Sequence, residues 1–202
     1  MPRPKLTYFD APISRGEECR LALTIAGVEF DDVRLARDAW LALKPSTPFG
    51  SVPIFEIPGE GVLAQSNAIL TLIGRRHDLH PEDDFEAARH EAMMQHVEDL
   101  RAALGPSMRM SDEAEKKKAR EVIVATTLPT WAASVEKQIA GPFFAGDRVH
   151  VVDLKLFVVV VWLSSGKLDH VPASIFEGHP KLLGLHAAVR DHERVKAWYA
   201  KA

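Results

Sequence analysis

The sequence predicts a small α/β layer followed by an all-helical domain, and three observations carry that prediction. Short β-prone runs alternate with helical runs only within residues 1–78. A polar segment holding Pro81 follows, so 79–85 reads as a linker. From Glu86 to the end, residues 86–202, the apolar patterns are almost all helical in spacing.

The first domain can be justified element by element. Leu6-Thr7-Tyr8-Phe9 is short and β-prone, and Asp10-Ala11-Pro12-Ile13 breaks it. Ser14-Arg15-Gly16-Glu17 has the capping-box pattern, with Ser14 expected as N-cap and Glu17 at the third helical position. The helix behind it carries Cys19, Ala22, Leu23 and Ala26 on one face and stops at Gly27. Phe30, Val33 and Leu35 suggest a second strand, and a polar connection then holds Trp40 and Lys44. Pro53 opens the next strand, Pro53 to Ile57, where its missing N–H does least harm. A cis Val52–Pro53 bond is expected there, which leaves the Val52 backbone facing outward to pair with an extended peptide. After a turn at Pro58-Gly59-Glu60-Gly61 come a strand Val62–Ala64 and a helix from Ser66 to Arg75. Gln65-Ser66 stands at that helix N-terminus, where a hydroxyl and free N–H groups hold a carboxylate well. Peptide backbone on one side and carboxylate on the other describe a site for a small acidic peptide.

In the second domain Glu86 to Leu104 runs without Pro or Gly, and Gly105-Pro106 is expected to stop or kink it. Ser111-Asp112-Glu113 marks a fresh helix start with acids at the positive end of the helix dipole. Pro129 is expected to interrupt that helix and bend it. Gly146-Asp147 introduces a helix near Val151 that is apolar on nearly every face, as a central helix would be. Two short helices, Pro180–Val189 and Arg194–Ala200, close the chain.

Composition narrows the function classes. A net charge of −3 gives no electrostatic basis for binding nucleic acid. The single cysteine, Cys19, excludes an internal disulfide framework, and the N-terminus shows no signal-peptide pattern. The longest apolar stretch, Leu156–Leu163, is too short to span a bilayer, so no membrane role and a cytoplasmic location are expected. The nine histidines show no metal-binding spacing, so no metal is expected. Cys19 lies a full turn inside its helix and reads as a small buried residue rather than a nucleophile.

Trp40, Lys44, the run Thr47-Pro48-Phe49-Gly50-Ser51-Val52-Pro53-Ile54 and the pair Gln65-Ser66 resemble the glutathione-binding domain of the glutathione transferases. Lys5-Leu6-Thr7-Tyr8-Phe9 narrows the likeness to the sigma-like, Tyr-type cytosolic class. Gly146-Asp147 with Asp153, and Gly178-His179-Pro180-Lys181-Leu182 with Val195 and Trp198, carry it through the second half. The family's Ser or Thr cap before the central helix is here His150, which implies a weaker, pH-sensitive cap.

The resemblance implies a thioredoxin-like α/β N-terminal domain plus an all-α C-terminal domain, with glutathione as co-substrate. Glutathione's thiol is mostly protonated at neutral pH, and a hydroxyl aimed at the sulfur stabilises the reactive thiolate. That donor would be Tyr8. Arg15 would sit near the sulfur and the γ-glutamyl part, while Trp40 and Lys44 would reach the glycyl end. Val52, before Pro53 and flanked by Gly50 and Ser51, would pair with the cysteinyl backbone. Gln65 and Ser66 would hold the γ-glutamyl carboxylate. Phe9, Ala11, Ile13 and Met108 would form an apolar wall for an apolar electrophile.

The family also implies a homodimer, with Phe49 as an apolar key and an acid from the partner subunit that would here be absent or shifted to Asp99. Two departures stand out: Ser51 replaces a position often basic or amide, and the loop after Phe9 is one residue longer than usual, leaving Arg15's register open. A non-catalytic ligand-binding or structural protein, or a glutathione-dependent isomerase or peroxidase, is the alternative.

Overall fold

The computed structural model describes residues 2–201. Strands β1 (Lys5–Phe9), β2 (Asp31–Leu35), β3 (Ile54–Ile57) and β4 (Gly61–Ala64) form one sheet in the order β2-β1-β3-β4. β1 and β2 run parallel, as they must when a crossover helix, α1 (Ser14–Ala26), joins them. β1–β3 and β3–β4 are antiparallel, the second pair joined by the tight turn around Gly59. Leu6 and Phe55 point from neighbouring strands into the core beneath α1 and α3 (Ser66–Arg76). Pro53 stands just before β3, and the Val52–Pro53 peptide is cis.

α1 ends as its sequence predicts but begins differently. Gly27 adopts φ 71° and returns its N–H to the carbonyls of Leu23 and Thr24. At the other end Ile13, not Ser14, is the N-cap, and among the described residues no side chain caps the helix. Ser14 has φ 62°, a left-handed conformation that turns its hydroxyl away from the helix N–H groups and towards Tyr8. The stretch around Trp40 is likewise more ordered than a polar connection. Helix formers there make a short helix, α2 (Arg37–Leu43), with a single 3₁₀ turn Lys44–Ser46 behind it.

Residues 77–83 join α3 to the long helix α4 (Asp84–Met108), which Asp83 caps by accepting from the Glu86 N–H at 2.9 Å. α4 runs through Gly105-Pro106 instead of stopping there and ends two residues further on, at Met108. Asp112 caps α5 (Glu113–Val122). A π-helical turn, Ile123–Thr127, then leads into α6 (Leu128–Glu136), with Pro129 in the first turn of α6. α7 (Val151–Leu163) is the centre of the molecule, buried along nearly its whole length against α1, α4 and α8 (Pro180–Asp191). α9 (Glu193–Tyr199) packs back on α1.

The start of α7 corrects the expectation of an imidazole cap. Asp153 does the capping, accepting from the N–H groups of Phe144 at 2.7 Å and His150 at 2.8 Å. Among the described residues the His150 Nδ1 has no partner. Among the described residues no helix is long and apolar enough to cross a membrane.

Candidate active site

The sheet register brings the separate sequence motifs to one edge. Thr7 lies opposite Ile54, and Ile54 opposite Ala64. The C-terminal end of β1, the approach to β3 and the exit of β4 therefore sit side by side. Tyr8, Val52-Pro53 and Gln65-Ser66 consequently share that edge, although up to 58 residues separate them (66 − 8).

Tyr8 is 8 % exposed and lies against the first turn of α1. A Cβ on Gly16 would stand 2.1 Å from the Tyr8 ring, so only glycine allows this approach. The Arg20 guanidinium lies over the same ring, 5.9 Å from its centroid. Arg20 also donates to the carbonyls of Ala11 at 2.9 Å and Phe9 at 3.1 Å, and to Asp32 at 2.9 Å, fixing the loop between β1 and α1. Sequence reading missed Arg20; its signal was a fully charged residue among the apolar positions of a buried helix. Burial raises the Tyr8 phenol, while the neighbouring Ser14 hydroxyl and Arg15 charge pull it down.

On the peptide-binding side Gln65 has φ 72°, unusual for a residue other than glycine, and Ser66 behind it is buried. The first N–H groups of α3 are free of intrahelical partners, so the turn Gln65-Ser66 presents donors to an anion. Gly50 has φ 60°, and the Lys44 side chain passes 3.8 Å from the point a Gly50 Cβ would take. Ser51 and Val52 are half-buried, and Lys44 is exposed with no ion-pair partner among the described residues. Trp40 meets Phe9 edge-on at 5.7 Å, which stands it beside the same edge.

Next to this edge a cleft of about 680 Å³ opens between the start of α1 and the C-terminal halves of α4 and α7. Of the four residues expected as an apolar wall, only Met108 lines it; Phe9, Ala11 and Ile13 do not. Trp162 adds an apolar face, but Ser14, Arg15, Glu98, Asp99, Arg101 and Arg109 make much of the wall polar. Arg15 enters the cleft from the first turn of α1, its Nε and Nη2 donating to Glu98 at 2.9 and 2.6 Å. Glu98, equally absent from the sequence reading, lies next to the Asp99 that was considered.

Cys19 is fully buried, and burial pushes its thiol up, so it is no nucleophile. Among the described residues no three His, Cys, Asp or Glu side chains are arranged to hold a metal ion.

Known proteins bear out the architecture. Family models match twice: the glutathione S-transferase N-terminal domain over residues 4–75 and the C-terminal domain over residues 98–202. Glutathione S-transferase 1 of Ascaris suum is 34% identical over 207 residues, covering 100% of this chain and 97% of that protein. The hematopoietic prostaglandin D synthase of Gallus gallus is 30% identical over 202 residues, covering 100% and 97%. The solved glutathione S-transferase of Ascaris lumbricoides superposes with a TM-score of 0.85 at 33% identity, covering 99% of this chain and 97% of that one. The fold, the matched domains and these full-length relatives place the chain in the glutathione S-transferase family, as a glutathione transferase.

Proposed function

We propose that this transferase is of the sigma-like, Tyr-type class and that Tyr8 activates the glutathione thiol for attack on an electrophile seated in the cleft. The observation that carries the reading is the meeting of Tyr8, Val52-Pro53 and Gln65-Ser66 along one sheet edge. Val52's outward backbone pairs with the cysteinyl part of glutathione, and Gln65 and Ser66 take its γ-glutamyl carboxylate. Trp40 and Lys44 reach the glycyl end; Gly50 and Ser51 let the peptide lie close. This arrangement directs the sulfur towards the Tyr8 hydroxyl. The thiol proton leaves to solvent, the hydroxyl donates to the thiolate, and the sulfur attacks the electrophilic carbon as its leaving group departs. Met108 and Trp162 give the second substrate its apolar contacts, so apolar electrophiles suit that end of the cleft.

The reading extends to a homodimer. Phe49 is 66 % exposed on the loop before β3. A groove of about 480 Å³ between α4 and the turn preceding α6, lined by Leu100, Ala103 and Trp131, has the character of a socket for it. The reaction belongs to the cytoplasm, where free glutathione and reduced Cys19 are compatible. Relatives named as prostaglandin D synthases support a second reading, in which the thiolate promotes rearrangement rather than conjugation.

The test is a glutathione-consumption assay with a chlorodinitrobenzene-type electrophile and product analysis. A glutathione conjugate formed at a rate proportional to enzyme supports the transferase reading. No conjugate, with glutathione still bound, contradicts it.

A further inference from the structure

Beneath Arg15 lies a closed ring of charges that the activation of a thiol by Tyr8 does not itself require. Glu98 Oε1 accepts from Lys155 Nζ at 2.6 Å and from Arg101 Nη1 at 2.7 Å. Glu18 Oε2 accepts from the same Lys155 at 3.0 Å, and Glu18 Oε1 from Arg101 Nη2. Glu18 and Lys155 are fully buried, and the Arg101 side chain is 5% exposed. The ring spans both domains: Glu18 from α1, Glu98 and Arg101 from α4, Lys155 from α7. Burial alone would raise both carboxyls, but Lys155 and Arg101 outweigh it and hold Glu98 down at about 2 and Glu18 below its usual range.

Buried ion networks contribute little net stability and cost desolvation, so a core position holding four charges calls for another explanation. Two carboxylates against two cations leave the ring with no net charge. Arg15, hung on the free Oε2 of Glu98, therefore brings an uncompensated positive charge to the cleft. The other cleft-facing charges, Asp99 and Arg109, offset one another. On α1, Arg20 over the Tyr8 ring is held by Glu17 and Asp32.

We propose that Glu18 and Lys155 are positioning residues for thiol activation. Through Glu98 they fix both the place of Arg15 and the charge balance behind it, and so set the ionisation of glutathione bound at Tyr8. The proposal rests on the reading of Tyr8 as activator.

Charge balance gives the proposal a signature that loss of packing cannot imitate. Lys155→Met leaves the ring one charge negative, which cancels Arg15 and raises the pH at which the bound thiol ionises. Glu18→Gln leaves it one charge positive and lowers that pH. Each shift is on the order of one unit, roughly tenfold in the thiolate-to-thiol ratio. The double variant restores neutrality and titrates with the wild type; Lys155→Arg keeps the charge and stays near it.

The experiment is the absorbance titration of the thiolate of glutathione bound to full-length enzyme. Opposite shifts in the two single variants with cancellation in the double are expected. Shifts of the same sign, no shift, or a double displaced from wild type would overturn the proposal. If Lys155→Met does not fold, Glu18→Gln decides alone, because damage to the site cannot ionise a thiol at lower pH. Tyr8→Phe separates the two readings: if it shifts the titration and the ring variants do not, the ring fails and Tyr8 stands.

Discussion

At the residue scale the site depends on one absent side chain as much as on those present. With the Tyr8 ring 2.1 Å from where a Gly16 Cβ would be, Gly16→Ala must move either the ring or the helix. Overpacking of this kind destabilises by about 1–3 kcal/mol. Urea denaturation should show that loss, and turnover should fall at least as far as in Tyr8→Phe because the hydroxyl is displaced with the ring. A Gly16→Ala enzyme with wild-type stability and turnover would show that the close approach is not needed. The places of Tyr8 and Gln65-Ser66 in the fold were legible in the sequence because each stands at a local landmark, a strand end or a helix start. Arg15's pairing was not: Glu98 lies 83 residues away, and Lys155 and Glu18 are 137 apart. No local spacing carries such contacts. Ser14 misled because a capping box is judged from residue types, whereas its φ of 62° depends on the loop before it.

At the scale of elements, α4 and the start of α7 enclose a second feature, a cluster of three histidines meeting edge to face. The His90 ring lies 6.0 Å from His80 and 5.0 Å from His150 by centroids, and neither His90 nitrogen has a partner among the described residues. Burial, reinforced by His150, His80 and Arg89, holds the His90 imidazole down at about 3. His150 is lowered too, by burial and Arg148. Glu91 lies 3.9 Å from His80, and Asp78 opposes the lowering of His150.

A histidine depressed in the folded state stays neutral while the unfolded chain takes up a proton. Its stabilisation is complete above the unfolded value of about 6.5 and is lost as pH falls towards about 3. At about pH 5 the loss from His90 alone is about 2 kcal/mol. Urea midpoints at about pH 7.5 and about pH 5 should therefore differ strongly in the wild type and much less in His90→Leu. Equal losses in both proteins would show that acid lability resides elsewhere. The elements themselves were largely readable, since strand and helix periodicities are local. α2 and the passage of α4 through Pro106 were not, because short helices and frayed ends are decided by packing.

At the scale of the whole molecule, the two domains meet where α1 packs on α7 and α3 on α4, and the cleft lies across that seam. The apolar Phe49 and the groove on α4 predict a particle of twice the 22.4 kDa chain mass by light scattering. Phe49→Ser should move it towards a single chain; a wild type already at 22.4 kDa at micromolar concentration would contradict the dimer. The fold was legible because both domain patterns and their order are written along the chain, whereas the charged character of the cleft arises only when α1, α4 and α7 converge. Activation of the sulfur by Tyr8 should be read in the ionisation of bound glutathione. A free thiol ionises at about 8.5. One charge-assisted hydrogen bond is worth about 1.5–3 kcal/mol, which lowers that by roughly one to two units. Wild-type enzyme should therefore show the bound thiolate titrating near neutral pH. Tyr8→Phe should bind glutathione almost as well, titrate about one to two units higher and lose at least about tenfold in turnover near pH 6.5. Coincident titration curves for the two proteins would contradict the account.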